Sequence, residues 1–172
     1  MPVRTDSFDP GALRLSSGEG RRLELEVALD ALTFGAQTYE IRPRVVDAVL
    51  DISCMTRGGY ALRLRFDAVL RGSCMRCLEP AQPAIAVDAR EVDQPGGGDE
   101  LQSPYVRDQE LDVRGWARDA LALALPAQLL CRDDCAGLCA VCGENLNEAG
   151  SEHAHERPPD PRWAKLSELE LD

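Results

Sequence analysis

Seven cysteines are the side chains of this sequence with the clearest chemistry, and four of them lie close together near its C-terminus. The run CRDDCAGLCAVCG contains Cys131, Cys135, Cys139 and Cys142, at intervals of four, four and three residues. Four thiolates suit Zn²⁺, which prefers soft ligands in a tetrahedron about 2.3 Å from the metal. Gly137 and Gly143 fit the tight turns in which backbone amides approach ligand sulfurs. The spacing therefore predicts a structural zinc site on these four thiolates.

A second pair, Cys74 and Cys77, leaves the ligand set open. Six cysteines exceed what one tetrahedral site can use, so two arrangements compete. Either the local four bind the metal, or Cys74 and Cys77 face Cys139 and Cys142 as two knuckles. The compact spacing favours the local four. A thiol redox switch is a third interpretation of the same residues. Cys54 has no cysteine neighbour, and we predict it to be a core residue.

No group of residues predicts catalysis. His153 and His155 are the only histidines and lie in a polar segment, where we expect solvated loop residues that could supplement the metal site. The glycines at 96–98 neither follow a predicted strand nor open a helix with a lysine, so they do not form a phosphate loop. A closed four-thiolate site also leaves no position for a catalytic water. We therefore predict a protein that is not an enzyme and has no small-molecule substrate.

The net charge of -11 is distributed unevenly. Residues 1–86 carry eleven arginines and eleven acids, whereas residues 87–172 carry eight basic and nineteen acidic side chains. The neutral first half thus leaves room for contact with nucleic acid. No apolar run approaches the roughly 20 residues of a membrane span, and the N-terminal residues lack the pattern of a signal peptide. We predict a cytoplasmic protein without membrane contact, in which thiols stay reduced.

The elements that must position the cysteines are mostly strands. Apolar and polar residues alternate over 23–29, the period of a half-buried strand. The segment 44–55, a turn at 57–60 and the alternating ALRLRFDAVL predict an antiparallel hairpin, and 84–92 predicts one further strand. A meander of about four strands results. The fold class that we predict is α+β, an antiparallel β-sheet packed by one or two helices with a C-terminal cysteine-rich zinc knuckle.

Three regions follow from the pattern along the chain. Residues 1–93 are β-rich, and 94–104, with three consecutive glycines, are expected to form a flexible surface loop. Residues 105–172 contain a helix capped by Asp112, the cysteine-rich segment, and a last short helix that starts at 160–161 and includes Trp163. The first helix should run to about residue 125, because Pro126 ends it, and should cover the sheet. We expect one compact domain with an appendage.

Several motifs together resemble one known family. They are Cys-Met-Arg-Cys-Leu at 74–78, Ala-Leu-Pro at 124–126, the cysteine run at 131–142 continued as Gly-Glu-Asn-Leu-Asn to 147, and Asp-Pro-Arg-Trp at 160–163. Their order and spacing, over roughly residues 70–170, resemble the YceD family, the large ribosomal RNA subunit accumulation proteins. The resemblance implies a bacterial, non-enzymatic factor needed for normal levels of large-subunit ribosomal RNA.

Because the resemblance implies a role in ribosomal RNA accumulation, the arginines of the first half become candidates for RNA contact. Outward-facing Arg63 and Arg65 on the hairpin, with Arg57, Arg71 and Arg76 nearby, are predicted to contact phosphates of large-subunit ribosomal RNA or of a pre-ribosomal particle. Aromatic residues are too few for a stacking platform. The alternative is an acidic adaptor whose C-terminal part and Trp163 helix dock on a basic ribosomal protein or assembly factor. A zinc-thiolate redox sensor is the third possibility.

Overall fold

A computed structural model of the chain describes residues 3–35, 37–150 and 153–155. Its strands and helices follow in chain order: β1 Val3–Arg4, β2 Ser7–Phe8, β3 Gly20–Ala28, β4 Leu32–Phe34, β5 Gln37–Arg42, β6 Val45–Cys54, β7 Tyr60–Ser73, β8 Pro80–Ala81, β9 Ala84–Asp93, β10 Val106–Arg107, β11 Glu110–Asp112, α1 Val113–Leu123 and α2 Leu146–Ala149. Short 3₁₀ turns occur at Pro10–Leu13 and Asp99–Leu101. The structure has the predicted α+β class, with mostly antiparallel strands and few helices.

The main sheet is built around β7, which is long enough to pair with four other strands. Along one side of β7 lie β6 and then β5, and along the other lie β9 and then β8. β3 pairs with the far edge of β6, and β4 pairs with β5, again antiparallel. β1 adds to β3 in parallel. A smaller sheet has the order β10-β11-β2.

One face of the main sheet is apolar because alternate residues of its strands point into the core. In β7, Leu62, Leu64 and Phe66 are at most 5% exposed. Arg63 and Arg65 alternate with them and therefore lie on the opposite face. The predicted alternation of this strand is thus confirmed, and the second face of the sheet is left to polar and charged side chains.

Helix α1 packs its apolar side into the same core. The carboxylate of Asp112 accepts a hydrogen bond from the amide of Gly115 at 2.8 Å, which caps the first turn as predicted. Trp116 and Leu121 are buried among the side chains that form the core with the sheet. The helix ends at Leu123, ahead of Pro126, whose missing amide hydrogen and fixed φ do not suit a continuing helix.

The sheet has more strands than the predicted meander. The hairpin β4–β5 lies between the first two predicted strands, and only Tyr39 and Ile41 of β5 are buried, a pattern too short to stand out in the sequence. Strands β2 and β11 have only two and three residues, so they are recognised by their pairing, in which Leu111 lies opposite Phe8. The predicted last helix with Trp163 lies outside the described residues.

The segment 94–104 is held by hydrogen bonds at both ends. The amide of Gln94 donates to the carbonyl oxygen of Leu101 at 2.7 Å. Ser103 is buried, and its amide donates to the carboxylate of Asp93 at 3.3 Å. After this segment, β11 pairs with β2 and α1 joins the sheet, so residues on both sides of it share one core.

Gly59 in the turn before β7 is expected to tolerate no side chain. Its φ is +87°, and an added Cβ would overlap the carbonyl oxygen of Asp93 and lie 2.9 Å from Cα of Gln94. We expect Gly59→Ala to lower the free energy of unfolding by about 3 kcal/mol, from left-handed strain together with overpacking. Gly58→Ala is the matched control, since Gly58 has a φ of +81° but open space around it, and should cost about 1 kcal/mol. Equal urea midpoints for the two variants would contradict the steric part of this prediction.

Candidate metal centres

The described part of the chain contains two groups of potential ligand side chains. The first, which we call the four-cysteine cluster, consists of Cys74, Cys77, Cys131 and Cys135. The second, the Cys₂His₂ cluster, consists of Cys139, Cys142, His153 and His155. Within each cluster the ligand atoms all lie within 4.8 Å of one another, so each could hold a metal ion.

The four-cysteine cluster joins two parts of the chain that are far apart in sequence. Cys74 and Cys77 lie in the turn after β7, where the amide of Leu78 donates to the carbonyl oxygen of Cys74 at 3.0 Å. Cys131 and Cys135 follow Leu129, whose carbonyl oxygen accepts from the amide of Met75 at 2.8 Å. The cluster therefore ties the end of the long strand β7 to the segment that follows α1.

Its sulfur positions match a tetrahedral site. Sγ of Cys74 lies 3.8 Å from Sγ of Cys135, and Sγ of Cys77 lies 3.6 Å from Sγ of Cys131. Four sulfurs at about 2.3 Å from a central zinc would be separated by about 3.8 Å. Neither pair is a disulfide, which would need about 2.05 Å between the sulfurs. The spacing is thus that of ligands around a common centre.

The surroundings of these sulfurs favour thiolates at some positions and thiols at others. Burial opposes ionisation of Cys74, but the backbone amides of Cys77 and Arg76 outweigh it and lower the pKa of Cys74 to about 6. Burial raises the pKa of Cys131 to about 12, and the adjacent thiols of Cys77 and Cys135 add to the rise. A divalent cation would remove this conflict, because it stabilises all four thiolates at once.

Groups around the cluster hold its ligands in place. The side-chain amide of Asn147 lies 3.4 Å from Sγ of Cys135, to which it donates. The guanidinium of Arg76 donates to the carbonyl oxygen of Cys135 at 3.0 Å, and the carbonyl oxygen of Arg76 accepts from the amide of Leu138 at 3.1 Å. Such contacts orient the ligands of a metal and exclude water from it.

The structure does not bring the four cysteines predicted from local spacing into one group. Cys131 and Cys135 lie with Cys74 and Cys77, whereas Cys139 and Cys142 lie with the histidines. The alternative with two facing knuckles, Cys74 and Cys77 against Cys139 and Cys142, is not formed either. The chain turns at Gly137, where φ is +82°, and this turn directs the two halves of the run to different partners.

His153 and His155 were expected to be solvated loop residues that could supplement the metal site, and they lie in the Cys₂His₂ cluster. Their Nε2 atoms lie 3.5 Å and 3.3 Å from Sγ of Cys142. The signal that could have found them is their spacing, because two histidines separated by a single residue can turn both rings toward one point. Cys54, predicted to be a core residue, is only partly buried.

The arginines proposed for RNA contact occupy different settings. Arg63 binds the carboxylate of Asp88 through two hydrogen bonds of 2.8 and 2.5 Å, and Arg65 donates to Asp51 at 2.7 Å. Arg71 donates to the side chain of Gln82 at 3.2 Å in an exposed position. Arg76 is engaged at the four-cysteine cluster. Arg57 is exposed in the turn before β7.

Two further arginines share the open face of the sheet with Arg63 and Arg65. Strand register places Arg22, Asp51, Arg63 and Arg90 in one row across β3, β6, β7 and β9. We call Arg22, Arg63, Arg65 and Arg90 the arginine face. The guanidinium of Arg22 donates to Asp51 at 2.7 Å and holds the pKa of that carboxyl below its usual range. Sequence reasoning missed Arg22 and Arg90 because their neighbours across strands depend on register.

The fold and the two clusters define an α+β protein in which six cysteines and two histidines form groups that could hold a metal ion. The family model described as "Large ribosomal RNA subunit accumulation protein YceD" matches residues 62–170, more than half of the chain. The chain belongs to the YceD family. The resemblance on which the sequence analysis relied is therefore confirmed, and the matched residues include both ligand clusters.

Curated relatives come from mycobacteria and from a plant. An uncharacterized protein of Mycobacterium tuberculosis is 39% identical over 107 residues, which are 57% of this chain and 49% of that protein. One of Mycobacterium leprae is 34% identical over 103 residues, 56% of this chain and 46% of that protein. The chloroplastic "Large ribosomal RNA subunit accumulation protein YCED homolog 1" of Zea mays is 26% identical over 175 residues, 80% of this chain and 57% of that protein.

The chain spans about half the length of these curated relatives. No solved structure matches it. Among the described residues, no helix has both the length and the apolar character that crossing a membrane requires.

Proposed function

We propose that the protein is a non-enzymatic factor in the accumulation of large-subunit ribosomal RNA, acting in the cytoplasm by binding that RNA or a pre-ribosomal particle. The arginine face carries this proposal, since it concentrates guanidinium groups in a chain whose net charge is -11. The name of its family, large ribosomal RNA subunit accumulation protein, supports the choice of large-subunit ribosomal RNA as the target.

The arginine face suits phosphates rather than bases. It crosses four neighbouring strands, which at about 4.8 Å between strands makes it about 14 Å wide. A flat, charged surface of this width can follow the sugar-phosphate backbone of a helical RNA segment, and guanidinium forks bind phosphates through two hydrogen bonds. Recognition would then depend on the shape of the RNA more than on its sequence.

The two carboxylates that pair with these arginines, those of Asp51 and Asp88, do not prevent phosphate binding. Asp51 and Asp88 pair with guanidinium groups whose side chains remain 35–65% exposed. Exposed ion pairs contribute only about 0–1 kcal/mol each, so exchanging a carboxylate for a phosphate costs little.

Loss of two guanidinium groups tests the RNA-binding proposal. We expect Arg63→Gln with Arg90→Gln to weaken binding of large-subunit ribosomal RNA about tenfold, because two charge-assisted phosphate contacts are lost. The slope of log affinity against log salt concentration should fall by about two. Filter binding or fluorescence anisotropy at several salt concentrations measures both quantities.

The matched control is Arg118→Gln on helix α1. Arg118 is 59% exposed and paired with Asp119, so this variant loses one guanidinium charge and one ion pair of the kind that Arg63 makes, but away from the arginine face. It should bind RNA with the affinity and salt slope of the wild type. If Arg63→Gln with Arg90→Gln leaves the RNA affinity and its salt dependence unchanged, the RNA-binding proposal is wrong.

We also propose that the four-cysteine cluster holds a structural Zn²⁺. Support comes from its sulfur separations, from the burial of Cys74, Cys77 and Cys135, and from the preference of zinc for four thiolates in closed sites. When bound, the ion would supply a cross-link between β7 and the segment after α1. This ligand set replaces the local four cysteines as our proposal.

The charge of the second half supports a different function, the acidic adaptor. Residues 87–172 carry the whole net negative charge and would attract a basic ribosomal protein or assembly factor. A pull-down repeated after nuclease treatment separates the two functions. An adaptor keeps its protein partner when RNA is digested, whereas a factor that binds through RNA loses it.

The exposed thiol of Cys142 supports the third candidate, a zinc-thiolate redox sensor. Such a sensor would release metal under mild peroxide and change its binding of RNA as it did so. Unchanged RNA binding after peroxide treatment would remove this candidate.

A further inference from the structure

The Cys₂His₂ cluster has the internal geometry of an independent metal site. Nε2 of His153 lies 3.5 Å from Sγ of Cys142, and Nε2 of His155 lies 3.3 Å from the same sulfur. The two Nε2 atoms are 3.0 Å apart. Around a tetrahedral zinc, with about 2.3 Å to sulfur and about 2.05 Å to nitrogen, the corresponding separations are about 3.6 Å and about 3.3 Å. All three distances are within a few tenths of an ångström of these values.

The turn between Cys139 and Cys142 is shaped like a metal-binding knuckle. The amide of Gly143 donates to the carbonyl oxygen of Cys139 at 2.8 Å, and the amide of Val141 approaches Sγ of Cys139 at 3.4 Å. Gly143 has a φ of +76°, which allows the chain to close this turn. Backbone amides directed at a sulfur stabilise the thiolate that a metal needs.

A carboxylate orients one of the two imidazoles from behind. Nδ1 of His153 lies 3.0 Å from the carboxylate of Glu144, while Nε2 of the same ring faces the cluster. This carboxylate–histidine arrangement is common behind metal-binding histidines, where it fixes the tautomer and raises the basicity of the ligating nitrogen. A solvated loop histidine has no need of such a partner, so Glu144 is an observation independent of the ligand distances.

The two clusters differ in their access to solvent. In the four-cysteine cluster Cys74, Cys77 and Cys135 are at most 4% exposed. In the Cys₂His₂ cluster Cys142 and His155 are exposed, and Cys139 and His153 are only partly buried. An incoming chelator has direct access to two ligands of the second cluster, whereas in the first cluster Cys131 alone is partly accessible.

We propose that the Cys₂His₂ cluster is a second, exchangeable site for Zn²⁺ or a divalent cation of the same borderline-soft class. Two thiolates and two imidazoles in a tetrahedron favour zinc over hard cations such as Mg²⁺ and Ca²⁺, which prefer oxygen ligands. The protons of the two thiols pass to solvent as the metal binds. The site is separate from the zinc proposed for the four-cysteine cluster, since the two share no ligand.

Metal content of the purified full-length chain tests this site. Wild type reconstituted with zinc should hold about two equivalents, and Cys142→Ser with His155→Gln should hold about one fewer, measured by elemental analysis. Cys54→Ser is the matched control, because Cys54 belongs to neither cluster, and should keep the wild-type content. Equal metal content in wild type and the double variant would overturn the second site.

Exchange kinetics and a cobalt spectrum separate this proposal from the one for the four-cysteine cluster. A colorimetric chelator should take one equivalent rapidly from wild type and none rapidly from the double variant. With Co²⁺, the variant Cys142→Ser with His155→Gln should keep the thiolate-to-metal absorption of a four-thiolate site. Cys77→Ser with Cys131→Ser should lose that absorption while the signal of a two-thiolate site remains, at about half the intensity. Loss of both signals in the double variant would mean that the clusters are not independent, and would contradict the proposal.

Discussion

Cys77→Ser with Cys131→Ser is expected to remove the metal from the four-cysteine cluster and to lower the free energy of unfolding by 5 kcal/mol or more, an order-of-magnitude figure for structural zinc sites. The two cysteines are 54 residues apart in sequence, with their sulfurs 3.6 Å from each other. Because of this separation, the metal would act as a cross-link between distant parts of the chain.

The segment after α1 has few buried side chains besides those of the cluster. Between residues 124 and 150 the buried positions are Leu129, Cys135 and Gly137. A stretch with so few buried apolar side chains cannot offset the conformational entropy that it loses on folding. We therefore expect residues 126–150 to detach from the sheet when the cluster is broken, even under conditions where the sheet remains folded.

Hydrogen exchange can locate this effect. The amide of Met75 donates to Leu129 and the amide of Leu138 donates to Arg76, so both report on contact between the two parts. In the double variant, or in wild type after exhaustive treatment with a chelator, both amides should exchange rapidly while those of β7 stay protected. Cys54→Ser should behave like wild type. Retained protection and an unchanged urea midpoint after metal removal would show that the cluster does not stabilise the fold.

Trp116→Ala is expected to lower the free energy of unfolding by about 4 kcal/mol. The indole is 2% exposed and lies against the ring of Tyr105, with the ring centroids 6.2 Å apart and the planes at 24°. Its removal would leave a cavity between α1 and the sheet that no neighbouring side chain can fill without moving. Because α1 is the long helix among the described residues, its detachment would also expose the apolar face of the sheet.

Leu123→Ala on the same helix is the matched control. Leu123 is 87% exposed, so its truncation removes few contacts and should change stability by less than about 0.5 kcal/mol. Urea unfolding followed by far-ultraviolet circular dichroism measures both variants. A midpoint for Trp116→Ala equal to that for Leu123→Ala would mean that the helix does not depend on this contact.

The strands that carry a long alternating pattern could be predicted from the sequence. The expected strand at 23–29 is found as Gly20–Ala28, and the one at 84–92 as Ala84–Asp93. Both have one face in the core, so burial imposes the period of two on their residues. The hairpin β4–β5 and the strands of two or three residues carry too few buried positions to show this period, and they were missed.

The N-terminal cap of α1 and the end of the helix before Pro126 could also be predicted, because both depend on local sequence. Asp112 accepts a hydrogen bond from the amide only three residues further on. Pro126 ends the helix because proline has no amide hydrogen to continue it. Both effects act between neighbours in the sequence. The family motifs are of the same kind, because their order and spacing are properties of the chain alone, and the family that they indicated is the one whose model matches residues 62–170.

The partners of the cysteines and arginines were decided by the tertiary structure. Close spacing placed Cys131, Cys135, Cys139 and Cys142 in one predicted site, yet the fold divides them after Gly137 and gives the first two their partners from the turn after β7. Likewise, Arg63 lies opposite Arg90 and binds Asp88 only because of the register of β7 with β9. Sequence patterns report which side chains face the core and where elements end, because those depend on neighbours along the chain. Which ligands and charges meet depends on how distant strands and turns are brought together, and local spacing carries no information about that.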